Sequence, residues 1–485
     1  MSQITPVVDD PTRDYGDAVA KVEPGGVEAI PLDERHGKPH NLFWTWTSPN
    51  MEFATITVGL LGPVVFGMDF KESVLAIVLG TLLGSVTHAI LSTWGPGSGL
   101  PQMVLSRRAF GFLGNILPAG INSIVAGIGW FAVNSVSGAL ALHALANGLP
   151  KPICLLIIVV AQIAIAFLGH NLIHAFERYA FPVLTAVFVV GGIIVFTKAD
   201  FSMHVAHGPG GFWGGFLAMF AAAFGYACGW NPYAADYTRY LPPETPRKPV
   251  GLYAGLGVLV SCVFLEIVGA AIATAGKSAI DPRSFSELLP TWLGKLALLC
   301  IAIGAVAANA LNIYSGALSF VALGIRIPTH IARAVVAGVF GVIGFFVAWS
   351  GLHDAGHKYE NFLLIISYWI GPWLAVVLLE RIFRRGQHAV QWLGERNNVN
   401  WAGPIAMGVA TAISIWLFAN QYPKYVAPIP THHPALSDLT FEVGFVMAAI
   451  LYALLFPIFK QPDPAPPVPA APGSPSFSKP GDGGP

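Results

Sequence analysis

Two tryptophan and amide pairs and a few acids stand out in a mostly aliphatic chain. Trp130 and Asn134 lie four residues apart, and Asn309 and Asn312 three apart, so each pair shares one face of a helix. An amide held in lipid is costly and turns into the bundle. There it either glues helices together or reads the edge of a ligand, because it both donates and accepts. A membrane tryptophan usually belongs to the interfacial belt, but Trp130 falls in the middle of its apolar run. Trp230 sits at Gly229-Trp230-Asn231-Pro232, where another apolar run stops. Glu52 and Glu266 are the candidate intramembrane acids, able to exchange a proton with water. For Glu52 an interfacial cap or ion pair is the competing reading. Asp236 and Arg239 follow Trp230 closely and could form a gate pair.

These residues must be positioned by membrane helices. The chain has 485 residues, 54% hydrophobic and 11% charged, with mean hydropathy +0.62. A soluble domain carries about 25% charged residues. The formal net charge of zero gives no basic surface for nucleic acid. A span needs about 20 apolar residues, and twelve runs qualify: 50–68, 72–93, 115–144, 152–169, 179–197, 211–235, 250–275, 296–323, 331–350, 361–382, 402–420 and 436–459. With both termini cytoplasmic, 18 of the 26 Lys and Arg residues fall on the inner side, as the positive-inside rule requires. Residues 1–41 and 461–485 read as disordered cytoplasmic tails, the second rich in Pro and Gly.

Two spans are interrupted. Gly59, Gly62, Pro63 and Gly67 punctuate the first; Gly225, Gly229 and Pro232 punctuate the sixth. Being five spans apart, they cross in opposite directions. That spacing predicts an inverted repeat with a site between the two breaks at mid-membrane. The competing reading is that Gly and Pro are simply common in membrane helices.

Other chemistry fits poorly. Cys154, Cys228, Cys262 and Cys300 lie in apolar runs without metal or disulfide spacing. The Gly-rich loop 94–112 and Ala275-Gly276-Lys277-Ser278 lack the phosphate-loop spacing. His170/His174, His353/His357 and His432/His433 suggest a membrane metalloenzyme, but the first pair is cytoplasmic and the others external on this topology, so they cannot converge. A channel needs no pair of inverted broken helices.

Four stretches carry a family resemblance: GPGSGLPQMVLSRRAFG at 95–111, GWFAVNS at 129–135, GWNPYAADYTRYLP at 229–242 and NALNIYSGALS at 309–319. Together they resemble the nucleobase:cation symporter-1 family, in its purine–cytosine permease branch, over residues ~40–460. The resemblance implies an all-α polytopic protein of 12 transmembrane helices. Its fold would be a 5+5 inverted repeat of leucine-transporter type, with repeats at about 45–200 and 208–383 and two C-terminal helices at 402–459. It implies a secondary active symporter in the cell membrane that takes up cytosine or purines by alternating access. Relatives carry vitamin, allantoin or hydantoin-type heterocycles. It needs no cofactor and no obligate protein partner.

The resemblance also implies residue roles. Trp130 and Trp230 would sandwich a flat ring, and Asn134 and Asn312, with Asn309, would read its edge. Thr57 and the backbone at an unwound Gly59 would contact it from the first helix. Tyr368 and Trp369 fall on the helix that acts as an outer gate in this fold, though a packed aromatic helix is an equal reading. Sodium-coupled relatives hold the ion between the first and eighth helices, with hydroxyls expected near 306 and 307. Here those positions are Val306 and Ala307, and 303–308 holds no hydroxyl. Sodium wants hard oxygen ligands, so protons are expected over sodium, with Glu52 or Glu266 as carrier.

Overall fold

A computed structural model describes residues 26–168, 170–325, 329–352, 355–385, 398–421 and 424–459. The tails at 1–25 and 460–485 lie outside them. Among the described residues six helices are long and apolar enough to cross a membrane: 70–98, 116–145, 211–238, 247–274, 291–321 and 358–383. Six shorter apolar helices accompany them there, among them Ala402–Phe418 and Thr440–Leu455. These last two pack on each other and on the helix Ala355–Phe383. Phe70–Ser92 packs between Gly211–Cys228 and Arg247–Thr274, and Arg247–Thr274 also packs on Phe53–Val64.

The first interrupted helix breaks earlier than its glycines suggest. Helix Asn41–Thr47 runs into a 3-10 turn at Ser48–Asn50, and Phe53–Val64 resumes beyond it. Between them Met51 and Glu52 leave helical geometry, Glu52 being fully extended at φ −149°, ψ 172°. Side chains satisfy the freed carbonyls. Asn50 Nδ2 donates to Trp46 O at 2.6 Å and Thr55 Oγ1 donates to Asn50 O at 2.6 Å. Tyr359 Oη donates to Ala54 O at 3.0 Å.

The expectation of an unwound Gly59 is therefore corrected. Gly59 is helical, and its lack of a side chain serves close packing. A Cβ there would lie 1.6 Å from the carbonyl oxygen of Glu266. Gly62 likewise admits Ser73, whose Oγ would be 2.5 Å from a Cβ. Gly59→Leu should force these helices apart at a cost of at least 1–3 kcal/mol. Folded yield and thermal unfolding of the purified protein check this; a variant with unaltered stability would show that the contact is not tight.

The second interrupted helix breaks where the sequence places it. Gly211–Cys228 ends at Gly229 and Trp230, a 3-10 turn follows at Asn231–Tyr233, and a short helix Ala234–Thr238 completes the arm. Beside the second break passes Ile116–Leu145, which carries a π turn at Val125–Trp130 and brings Trp130 against Gly229. Such a turn rotates the residues after it and recurs at functional sites.

Residues 26–40, expected as part of the N-terminal tail, instead pack on the body. Ile30 N donates to Gly99 O at 3.0 Å, and Arg35 donates to the carbonyls of Ile30 and Pro96 at 2.9 and 2.8 Å. His36 N donates to Tyr240 O at 2.7 Å. The segment is polar in composition but ordered by backbone bonds, which a composition argument does not register.

Candidate functional site

The expected amides converge. Asn134 Nδ2 donates to Asn309 Oδ1 at 3.0 Å, and Asn312 Nδ2 donates to the same oxygen at 3.3 Å. Asn309 Nδ2 donates to Phe131 O at 2.8 Å and approaches Ser135 Oγ at 3.3 Å. Asn309 is thus fully engaged and holds the other two. The Oδ1 atoms of Asn134 and Asn312 are buried with no hydrogen-bond partner. An orphaned buried acceptor costs about 1–3 kcal/mol, so two beside each other mark a place for an incoming donor.

Aromatic rings stand next to these amides. Trp130, one turn before Asn134, meets Tyr226 and Phe362 edge-on, with ring centroids 5.5 and 5.2 Å apart. Its Cζ2 would lie 2.9 Å from a Cβ on Gly229, so the indole rests on the second break. Trp230 donates Nε1–H to Asn50 Oδ1 at 2.9 Å. That bond ties the two breaks together. Tyr226 Oη and Thr55 Oγ1, 2.5 Å apart, tie them a second time. Trp230 also meets Trp46 and Tyr233 edge-on at 5.6 and 5.8 Å.

Thr57 bonds back to Phe53 O at 3.0 Å. It also lines a cavity of about 170 Å³ with Gly129, Val133, Ser137, Tyr359 and Phe362. Trp230 and the three asparagines do not line it. The lining also includes Ile280 and Lys358, so the cavity is a space separate from the amide cluster.

Both expected acids are buried. Glu52 ends the first break, and neither carboxylate oxygen has a hydrogen-bond partner. It faces the helix Thr291–Val321 at Gly304, where a Cβ would lie 3.0 Å from that of Glu52. Glu266 Oε2 accepts from Thr81 at 2.6 Å, while Oε1 is unpartnered. Among the described residues no three His, Cys, Asp or Glu side chains form a metal cluster. His353, and the side chains of His170, His174 and His357, lie outside the described set.

The expected gate residues divide. Asp236 Oδ1 accepts from Gln102 N at 2.8 Å and pins the loop 94–112 to the arm of the second broken helix. Arg239 donates to Gly26 O at 3.0 Å and to Tyr314 Oη at 3.0 Å; Tyr240 and Tyr314 hydroxyls are 2.9 Å apart. These contacts seal the face carrying residues 26–36 and 94–112. Tyr368 does not face the cavity lining described above: it donates to Asp438 and accepts from Gln421 Nε2 at 2.9 Å. Trp369 packs on Trp373 at 6.3 Å. On their helix it is Tyr359 and Phe362, two turns earlier, that line the cavity.

Asn50, Tyr226 and Phe362 were not foreseen in the sequence. The signal for Asn50 was Pro49 just before it, which breaks a helix as well as the later glycines do.

A family model for permeases of cytosine/purines, uracil, thiamine and allantoin matches residues 29–444. The chain belongs to that family. The membership agrees with the nucleobase:cation symporter-1 resemblance of its motifs and makes the protein a secondary active transporter rather than an enzyme. The purine-cytosine permease fcyB of Emericella nidulans is 30% identical, covering 91% of this chain and 89% of the relative. The vitamin B6 transporter TPN1 of Saccharomyces cerevisiae is 28% identical, covering 75% and 66%. Among solved structures, Mhp1 in an inward-facing conformation superposes with TM-score 0.69 at 17% identity, covering 91% and 94%. Mhp1 closed on bromovinylhydantoin, described as a nucleobase-cation-symport-1 family transporter, gives 0.69 at 18%, covering 90% and 96%. The fold of this multi-pass permease is therefore the five-plus-five inverted repeat.

Proposed function

We propose that this permease imports a nucleobase, cytosine or a purine, together with a proton. The observation that carries the reading is the pair of orphaned amide oxygens, Asn134 and Asn312 Oδ1, one turn from Trp130. A nucleobase is flat and rimmed with N–H donors. Trp130 and Trp230 supply its stacking faces, Asn134 and Asn312 accept from its edge, Asn309 orients both amides, and Thr57 lies on the way in. The permease fcyB supports purines and cytosine. The B6 transporter supports a substituted heterocycle as the second reading.

Proton coupling is supported by Glu52. It occupies the interface between the first broken helix and Thr291–Val321, whose stretch 303–308 offers no hydroxyl to a sodium ion. Glu266 is the second carrier candidate. Binding would use twelve spans, five plus five and two more at 402–459, with both termini cytoplasmic, a body beginning at about residue 26 and tails outside it. Asp236 and Arg239 then belong to the cytoplasmic closure, and Tyr368 and Trp369 stabilise the outer-gate helix.

Gly229→Ala tests the stack. Its Cβ would push Trp130 Cζ2 from 2.9 Å and meet Tyr226 O at 3.1 Å. Affinity for the nucleobase should fall about tenfold, a cost of about 1.4 kcal/mol, while folding is retained. Uptake across a panel of cytosine, uracil, adenine, hypoxanthine, allantoin, hydantoins and vitamin B6 assigns the substrate. Transport of no nucleobase would overturn this reading.

A further inference from the structure

A groove of about 590 Å³ runs along the outside of the bundle between Phe70–Ser92 and Arg247–Thr274. Small residues make it. Gly251 and Gly255 let the helices close on Ala89 and Ser85; a Cβ on Gly255 would lie 2.9 Å from Ala89 Cβ. Leu82, Val86 and Leu252 form exposed walls at 42, 46 and 58% exposure. From Lys248 to Leu259 the helix rises about 16 Å at 1.5 Å per residue. Half of a ~30 Å hydrocarbon core is nearly the same, so the groove is one acyl chain long.

Its polar end carries unpaired charge. Arg247 and Lys248 are exposed and form no ion pair among the described residues. Arg247 lies close enough to Arg381 for mutual repulsion. Arg381 stacks over Trp94 at 5.4 Å. The nearest acid in sequence, Glu244, is engaged electrostatically with Arg35. Tyr253 lines the same end against His40, the amphipathic ring expected at a membrane interface.

We propose that this groove is a binding site for one anionic phospholipid, its acyl chain on Gly251 and Gly255 and its phosphate between Arg247 and Lys248. Assigning it to the inner leaflet rests on the orientation proposed above; the lipid preference does not. The occupant follows from charge complementarity and length. Each basic residue near a headgroup contributes about 1 kcal/mol.

The full chain, delipidated in detergent, is titrated by native mass spectrometry with phosphatidylglycerol and with phosphatidylcholine of matched chains. Phosphatidylglycerol should bind more tightly. R247A/K248A should weaken it about 30-fold without altering phosphatidylcholine binding. Leu259→Trp, which fills the slot, should weaken both lipids. Circular dichroism and thermal unfolding confirm that the variants fold. Equal binding of the two lipids, or an unaffected R247A/K248A variant, overturns the proposal. A reversed orientation by accessibility labelling would change only the leaflet.

Discussion

Replacing Trp230 with alanine should abolish high-affinity uptake while the protein stays folded. The substitution removes a stacking face and the Nε1–H bond to Asn50 that ties the two breaks. A buried aromatic contact of this size contributes about 2 kcal/mol or more, so the dissociation constant should rise by about 30-fold or more. Trp230→Phe separates the two losses, keeping a ring face without the donor, and should fall between. Asn134→Ala removes one orphaned acceptor and also releases Asn309 Oδ1 from a bond. Leaving a substrate donor unpaired costs about 1–3 kcal/mol, or 5- to 150-fold in affinity. The double variant should be less than additive, because the residues act on one ligand. Direct binding by calorimetry checks all four. Unchanged affinity in both single alanine variants would move the site elsewhere.

Glu52→Gln should uncouple the transporter. One proton carried per substrate across a gradient of one pH unit supplies about 1.4 kcal/mol, enough for about tenfold accumulation. Glutamine keeps the size and hydrogen-bonding capacity of the side chain but cannot carry a proton. Accumulation should fall to equilibration, while exchange of labelled for unlabelled substrate continues, since the amide cluster is untouched. If the variant still concentrates substrate, Glu266→Gln becomes the informative variant. Loss of exchange as well would assign Glu52 a structural role in closing the first break.

The fold was legible because the signals were redundant. Apolar runs of membrane length and the Gly229–Pro232 interruption both pointed the same way. The amide pairs were legible because polar groups in lipid are rare enough to stand out. Three things were not legible. Gly59 and Gly62 read as a break, yet they serve helix contact with Glu266 and Ser73; a glycine signals either use equally. The actual break rests on Pro49 and on hydrogen bonds from Asn50, Thr55 and Tyr359, the last more than 300 residues away in sequence. The surroundings of Tyr368 are not readable from its own helix, because its partners Asp438 and Gln421 come from the C-terminal segment.

The most direct test of the whole account is uptake into proteoliposomes. Labelled cytosine or hypoxanthine is supplied under an imposed inward proton gradient with sodium absent, then under a sodium gradient at uniform pH. Proton-coupled import gives accumulation driven by the proton gradient alone and collapsed by a protonophore. Accumulation that requires sodium and ignores the proton gradient would contradict it.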